Sequence, residues 1–239
     1  MRPWSPIPIH DCAESLVELP PELLRIEPHP YAVLGAPYGP AASPFRLRQG
    51  VMLRLLQAQR VLQANHPTWR LAIFDAWRPV TVQAFMVEHA IGEECCRRGV
   101  DRQRPSAELE AVIEAVGQFW APPSLDPATP PPHSTGAAVD LTLATREGEA
   151  LAMGSAIDAI GSVSEPDHFL VRAQQLPACN ERTTCLQWHS RRCALRDAMA
   201  EAGFAQHPNE WWHFSWGDQL WAWRTGQNAA VYGRAPEPD

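Results

Sequence analysis

A carboxylate inside an apolar stretch near the middle of the chain restricts what this sequence can fold into. The stretch reads HSTGAAVDLTL, from His133 to Leu143, and places Asp140 between Val139 and Leu141. Its run of apolar residues predicts a buried strand. Burying an isolated carboxylate is so costly that Asp140 must be paired, protonated or bound to a metal. The rest of the chain therefore has to supply its partner.

Two histidines and a glutamate are candidates for that role. Zinc hydrolases use three protein ligands drawn from His, Asp and Glu and leave a fourth position for water. His133 and Asp140 provide two ligands, and His213 in the segment NEWWHFSW provides a third. That segment alternates in strand fashion, so we expect Glu210, three residues earlier, to lie in the turn before the strand. From there it could take a proton from a metal-activated water without being a ligand.

Composition predicts a single soluble, cytoplasmic domain. The chain has 239 residues, a net charge of −7 and no lysine, so nucleic acid is an unexpected partner. No apolar run is long enough to span a membrane, and Pro3, Pro6 and Pro8 interrupt the region where a secretory signal needs an apolar core. The six cysteines are too scattered to predict a disulfide framework.

The pattern of apolar residues and prolines gives the organisation of the chain. We expect a Pro-rich arm over 1–30, a folded domain over 31–226 and a tail over 227–239. Within the domain, strands are expected over 71–74 and 136–145, the latter in a hairpin with 149–154, and a strand over 211–216. A Pro-rich loop covers 122–132. The predicted helices cover 49–65, 80–98, 106–120 with Ser106 as N-cap, and 187–202 with Gly203 as C-cap.

Four motifs in this order, DAWRP, HSTGAAVDLTL, MGSAID and EWWHFSW, resemble those of the D-alanyl-D-alanine dipeptidase family. These are zinc peptidases related to D,D-carboxypeptidases, and they share a single-domain α+β fold with the hedgehog domain, in which helices flank a small antiparallel sheet. The resemblance extends from about Tyr31 to Trp216. It implies hydrolysis of a free D,D-dipeptide to amino acids, with one zinc ion per chain as cofactor.

Carried to matching positions, the resemblance implies a role for each motif residue. Its implied zinc ligands are His133, Asp140 and His213, and the implied general base is Glu210. It also implies that Arg78 stabilises the oxyanion and that Asp158 faces the ammonium group of the substrate. In two places the chain departs from the family pattern: Pro131 stands where a serine is usual, and Trp77 precedes Arg78 where a tyrosine is usual.

Other interpretations of single residues remain open. Arg78 could pair with Asp75, and Asp158 could be an ordinary turn carboxylate. A second metal site could be formed by Cys179, Cys185, His189 and Cys193, because His189 and Cys193 would share a helix face. The remaining single histidines are expected to be surface or capping residues; they are His10, His29, His66, His89, His168 and His207.

Two further functions also remain open. A D,D-carboxypeptidase or L,D-endopeptidase on the same scaffold would act on peptidoglycan stem peptides rather than on a free dipeptide. A non-catalytic binding module would keep the fold without needing both Glu210 and the three ligands. The oligomeric state is not determined by the sequence.

Overall fold

The computed structural model describes residues 2–39 and 42–237. Across these residues the strands are β1 (Leu16–Glu18), β2 (Leu24–Arg25), β3 (Arg46–Arg48), β4 (Trp69–Asp75), β5 (Ala138–Thr145), β6 (Ala205–Gln206) and β7 (His213–Ser215). The α-helices are α1 (Pro30–Val33), α2 (Gln49–Asn65), α3 (Val80–Arg98), α4 (Ala107–Gly117), α5 (His168–Gln175), α6 (Asn180–Glu201) and α7 (Gln219–Thr225). None of the described helices is long and apolar enough to cross a membrane.

The strand that carries Asp140 lies at the centre of the main sheet. In the described residues this sheet has the strand order β2-β4-β5-β7-β6. β5 runs antiparallel to β4 and β7, and only the two-residue edge strand β2 pairs in parallel, with β4. Seven of the eight residues of β5 are buried, as its apolar run predicts for a central strand. The predicted α+β class is confirmed, with one parallel edge added to the expected antiparallel sheet.

Helices α2 and α6 form the main hydrophobic core together with β4 and β5. Leu55 and Leu62 of α2 and Leu195 of α6 are no more than 1% exposed. They belong to one cluster with Leu71 of β4 and Leu141 of β5. Burying each such side chain contributes about 1.5–3 kcal/mol. The same cluster includes Phe214 of β7, so this core supports both β5 and β7, the strands that carry Asp140 and His213.

A second cluster joins α3 to α4 beside the sheet. Val82 and Met86 of α3 pack with Val112 and Val116 of α4, and Trp120 just after α4 closes the cluster. Ser106 caps α4 by accepting from the Leu109 N–H, as expected from the sequence. The cluster places Trp120 next to the functional side chains.

Two local elements differ from the sequence-based expectation. Helix α6 begins at Asn180, seven residues before the expected start, and its first turns pack on α5, where Cys185 contacts the Phe169 cluster. The hairpin expected after β5 is reduced to a turn with one bridge between Ala144 and Ala150. In both places tertiary packing, rather than local periodicity, decides the extent of the element.

Both terminal segments pack against the body of the protein. The first thirty residues contain strands β1 and β2. They also contribute Leu19 and Leu23, which are buried in the main core. Ile9 bridges to Ala230, and the Ala235 N–H donates to the carbonyl of Ser134. The two ends of the chain therefore meet beside the turn that precedes β5.

Candidate metal and catalytic site

Strand pairing and one short turn bring three potential ligands together. The register of β5 with β7 places Asp140 opposite His213. His133 lies in a 3-10 turn, Pro132–Thr135, which ends at Gly136 with a φ of +71°. Glycine adopts that left-handed conformation without steric cost. The ligand atoms of the three buried residues all lie within 4.8 Å of one another.

The distances within this cluster match the needs of a small metal ion. Nε2 of His133 is 3.1 Å from Oδ2 of Asp140, and Nδ1 of His213 is 2.9 Å from Oδ1. The two ring nitrogens are 3.2 Å apart. Tetrahedral ligands with metal bonds of about 2.0–2.1 Å are about 3.3–3.4 Å from one another. The residues present therefore fit a zinc ion.

Hydrogen bonds orient both imidazole rings toward the cluster. His133 Nδ1 lies 2.7 Å from the carbonyl oxygen of Ala76, to which it donates, so Nε2 presents its lone pair. His213 Nε2 lies 3.4 Å from the hydroxyl of Ser215, which leaves Nδ1 directed at Asp140. Partners of this kind fix the tautomer of metal-binding histidines. Two lone pairs and a carboxylate thus converge where a cation would be stabilised.

Asp140 is ionised in spite of its burial. Burial by itself raises the pKa of its carboxyl group, but attraction to His133 and His213 outweighs burial, and the pKa falls below its usual range. The carboxylate in the apolar strand is therefore paired, which answers the question that the sequence raises.

Glu210 lies in the turn before β7, where the alternation of that segment predicted it. Its side chain is buried, and Oε2 is 3.7 Å from Nδ1 of His213. In the described part of the chain, Oε1 has no hydrogen-bond partner. Burial, followed by the charge of Asp140, raises the pKa of Glu210 well above its usual value. A buried carboxylate with an unsatisfied oxygen beside a metal-type cluster is suited to proton transfer.

Arg78 both pairs with Asp75 and lines the site, so the two interpretations of this residue are compatible. Its Nε and NH2 groups donate to Oδ2 of Asp75 at 3.0 and 2.7 Å, and NH1 donates to Gln83 at 2.8 Å. NH2 is also 3.5 Å from Oδ2 of Asp140. Burial opposes the charge of Arg78, but Asp75 and other anionic neighbours raise its pKa above the usual value. The guanidinium is therefore a fixed cation beside the cluster.

Asp158 lies in the loop between β5 and α5, with a positive φ of 66°. Its Oδ2 accepts a hydrogen bond of 2.7 Å from the hydroxyl of Tyr31. Burial and then the charge of Asp140 raise its pKa to about 7. The loop is held by the buried Arg192 of α6, which donates to the carbonyls of Met153, Val163 and Glu165.

All six residues singled out from the sequence line one small cavity. The space within it is about 460 Å³ when the open mouth is included. Pro132 lines it, whereas Pro131, at the position where a serine is usual, does not. Sequence reasoning missed several other lining residues, namely Arg2, Gln83, Phe119, Trp120 and His207.

Two of the histidines that were expected to be surface or capping residues are buried. His29 does cap α1, but it is buried and its Nε2 lies 3.2 Å from Asp75, which also accepts from Tyr38. His207 is buried in the cavity wall, in the same turn as Glu210. That shared turn is the signal that could have identified His207. Nothing in the local sequence indicates His29 as a partner of Asp75.

The second metal candidate does not assemble in the part of the chain that the structure describes. There, the only group of three or more potential ligands close enough to share an ion is His133, Asp140 and His213. Cys193 contacts His189 at 3.3 Å, as their shared helix face predicts. Cys179 and Cys185 do not complete a cluster with them.

Taken together, the buried ligand cluster, the adjacent glutamate and the small cavity are the features of a mononuclear metallohydrolase. Comparison with known proteins specifies the class. A family model described as D-ala-D-ala dipeptidase, of the M15 peptidases, matches residues 25–231. The chain belongs to this peptidase family, so the resemblance drawn from the motifs is confirmed.

Two relatives agree with that assignment in sequence. A D-alanyl-D-alanine dipeptidase of Synechocystis sp. is 42% identical over 242 residues, which covers 98% of this chain and 97% of the relative. A D-alanyl-D-alanine dipeptidase of Streptomyces coelicolor is 37% identical over 84 residues, or 35% of each chain. A crystal structure of the vancomycin-resistance D,D-pentapeptidase VanY with Zn(II) has a TM-score of 0.47 and 12% identity, and it covers 94% of this chain and 96% of that one.

Proposed function

We propose that the protein hydrolyses free D-alanyl-D-alanine, or a similar D,D-dipeptide, to its two amino acids, with one zinc ion held by His133, Asp140 and His213. The observation that carries the proposal is the single small cavity in which this cluster, Glu210, Arg78 and Asp158 all meet. Family membership and the near full-length similarity to a D-alanyl-D-alanine dipeptidase support the substrate class.

The donor set suits zinc because nitrogen and carboxylate ligands in a tetrahedral arrangement are those that zinc prefers. When bound, the ion would act as a Lewis acid toward the scissile carbonyl and would make water acidic enough to attack at neutral pH. The protein supplies the fixed orientation: the Ala76 carbonyl and the Ser215 hydroxyl hold the two imidazole rings.

Glu210 acts as the general base and then as the general acid. Its Oε1 lacks a partner among the described residues and is free to accept a proton from the attacking water. The same oxygen then returns the proton to the amine of the leaving amino acid, so the carboxylate is regenerated. The raised pKa makes the carboxylate a stronger proton acceptor than an ordinary glutamate, which suits it to take the proton from water.

Arg78 stabilises the negative charge that develops on the carbonyl oxygen. Because Asp75 and Gln83 hold three of its N–H groups, the guanidinium cannot reorient during the reaction. Such a fixed donor stabilises charge in the transition state without reorganisation.

Asp158 binds the ammonium group of the substrate. The carboxylate accepts from the hydroxyl of Tyr31 and has, among the described residues, no ion-pair partner of its own. A substrate ammonium would supply the missing positive charge. In a longer peptide the nitrogen at this point is an uncharged amide, so the charge of the Asp158 carboxylate would have no positive partner. The site therefore favours a free dipeptide over a stem peptide.

Hydrolysis of a substrate panel tests this function. Purified protein should release D-alanine from D-alanyl-D-alanine, should lose that activity with a chelator and should regain it with zinc. N-acetyl-D-alanyl-D-alanine, L-alanyl-L-alanine and a stem pentapeptide should be poor substrates. Faster cleavage of the pentapeptide would instead indicate a D,D-carboxypeptidase, and no hydrolysis of any peptide by zinc-loaded protein would indicate a binding module.

Two variants distinguish the role of the general base from the role of the metal ligands. Glu210→Gln should retain zinc while turnover falls by about 10²–10⁴-fold, the usual contribution of general acid–base catalysis. His133→Ala should lose the metal as well as the activity. His10→Ala, which changes an exposed histidine, is the matched control for both measurements. Turnover of Glu210→Gln at the wild-type rate would contradict the assigned role.

A further inference from the structure

The N-terminal segment places a cation in the wall of the active-site cavity. Arg2 lines this cavity together with His207 and Glu210. The segment is anchored by the buried Trp4, whose ring packs edge-on against His207, and by Gln219, whose amide donates to the carbonyls of Ser5 and Ile7. Arg2 is thus held at the cavity rather than carried on a free end.

The guanidinium of Arg2 has little to bind in the protein itself. Among the described residues no carboxylate forms an ion pair with it; its hydrogen-bond contacts are the Gly117 carbonyl at 3.4 Å and His207 Nε2 at 3.4 Å, and its Cζ lies 5.3 Å from the centre of the Trp4 ring. Burial lowers the pKa of Arg2, and attraction to Glu210 offsets this only in part. A half-buried cation with two long contacts is costly unless a ligand compensates for it.

The contact with His207 also indicates a missing acceptor. His207 Nδ1 accepts from the Asn209 N–H at 3.3 Å, so the ring carries a proton on Nε2. Nε2 and the Arg2 guanidinium are therefore two donors that face each other. An anionic oxygen between them would accept from both.

The dipeptide itself carries such an anion. The dipeptide has an ammonium group at one end and a carboxylate at the other. In the proposed function, Asp158 binds the ammonium group. Arg78, the other cation of the cavity, is already engaged by Asp75. Arg2, Asp158 and Glu210 all line this one cavity. Arg2 is therefore the cation that remains for the carboxylate.

We propose that Arg2, with the Nε2–H of His207, binds the α-carboxylate of the dipeptide and restricts the enzyme to substrates whose carboxyl terminus is free. This inference rests on the proposed dipeptidase function. The planar guanidinium can bind a carboxylate through two parallel hydrogen bonds, which gives orientation as well as affinity. The N-terminal arm thereby becomes part of the substrate site.

A comparison of D-alanyl-D-alanine with its C-terminal amide tests the inference. The amide keeps the ammonium group and the scissile bond but lacks the anion. For Arg2→Gln, kcat/KM on the free dipeptide should fall about 10- to 100-fold, mainly through KM, because the contact is made in both the ground and transition states. The value for the amide should not change, so that discrimination between the two substrates is lost.

Two further variants serve as controls. Arg2→Lys keeps the charge without the planar fork and should recover part of the discrimination. Arg146→Ala changes an exposed arginine in the turn after β5 and should behave as the wild type. Purification tags belong at the carboxyl end, so that Arg2 keeps its natural neighbours, and equal melting temperatures would show that the variants are folded.

The outcomes distinguish this inference from the function on which it rests. Wild-type protein that hydrolyses neither substrate would overturn the dipeptidase function and the inference with it. Wild-type protein that hydrolyses the dipeptide, with Arg2→Gln retaining full discrimination, would overturn the inference alone. An equal loss on both substrates would also overturn it, because Arg2 would then act only through the charge of Glu210.

Discussion

At the scale of single residues, the site depends on how buried charges are paired. Asp75 and Asp140 are opposite each other in the register of β4 with β5, where two carboxylates would repel. Arg78 lies between them, 2.7 Å from Oδ2 of Asp75 and 3.5 Å from Oδ2 of Asp140. His29 and Tyr38 complete the coordination of Asp75. The charges of Asp75 and Asp140 are thus both paired with Arg78, and Asp158 and Arg2 are left for the substrate.

The pKa of Asp158 predicts a pH dependence of substrate binding. Burial raises this pKa to about 7, so in the free enzyme the carboxyl group becomes protonated as the pH falls through that value. Because binding of the substrate ammonium requires the anion, KM should rise about tenfold per unit below pH about 7. The groups that face Asp158 are Tyr31, Arg78, Asp75 and Asp140.

Steady-state kinetics between pH about 6 and pH about 7.5, where the substrate ammonium stays charged, would measure this effect. Asp158→Asn is the matched control: it keeps an oxygen that can accept from Tyr31, but its KM should be high at every pH in the window. Metal content should be checked at each pH. A wild-type KM that does not change across the window would contradict the role of Asp158.

At the scale of elements, the turn before β5 determines where His133 lies. The carbonyl of Gly136 accepts from the backbone N–H of Arg48, and the guanidinium of Arg48 donates to the Thr135 carbonyl. A Cβ atom at Gly136 would overlap with the side chain of Leu16 in β1. Strand β1, far from the ligands in sequence, thus helps to hold a ligand in position.

Gly136→Ala should accordingly destabilise the protein and weaken metal binding. The left-handed φ of +71° and the overlap with Leu16 together should cost about 2–4 kcal/mol. Gly148→Ala is the matched control, since Gly148 has a φ of +93° with nothing within 4 Å of the added methyl group. It should cost only about 1–2 kcal/mol and leave metal affinity unchanged. Urea denaturation and zinc titration would measure both; equal effects of the two substitutions would contradict the argument.

At the scale of the whole molecule, the cluster links parts of the chain that are far apart. His133 and His213 are separated by 80 residues and meet only through β5 and β7. The N-terminal segment adds Arg2, which is 205 residues from His207. Because the residues that form the cavity come from both ends of the chain, the site exists only when the entire fold is formed.

Removal of the metal should therefore lower the stability of the entire protein. A ligand that binds only the folded state stabilises it by about 2.7 kcal/mol at a concentration of 100 times its Kd. We expect a chelator to lower the melting temperature and added zinc to restore it. His133→Ala, which cannot complete the cluster, should melt at the same temperature with and without chelator. An unchanged wild-type melting temperature after verified metal removal would contradict this prediction.

The amino-acid sequence by itself determined the elements and residues whose signals are local. The apolar periodicity of α2 and α3, the Ser106 cap and the apolar run of β5 reflect short-range rules of geometry and solvation. The candidate site residues His133, Asp140, Glu210 and His213 could also be identified from the sequence. A buried carboxylate such as Asp140 needs a partner, and few residues of the chain could be that partner.

Only the tertiary structure decided the contacts between distant segments. The pairing of Asp75 with His29, the early start of α6 and the position of Arg2 in the cavity wall leave no periodic or spacing signal in the sequence. Each depends on which surfaces meet once the chain is compact. Such contacts are selected by the packing of the entire core rather than by the preferences of neighbouring residues.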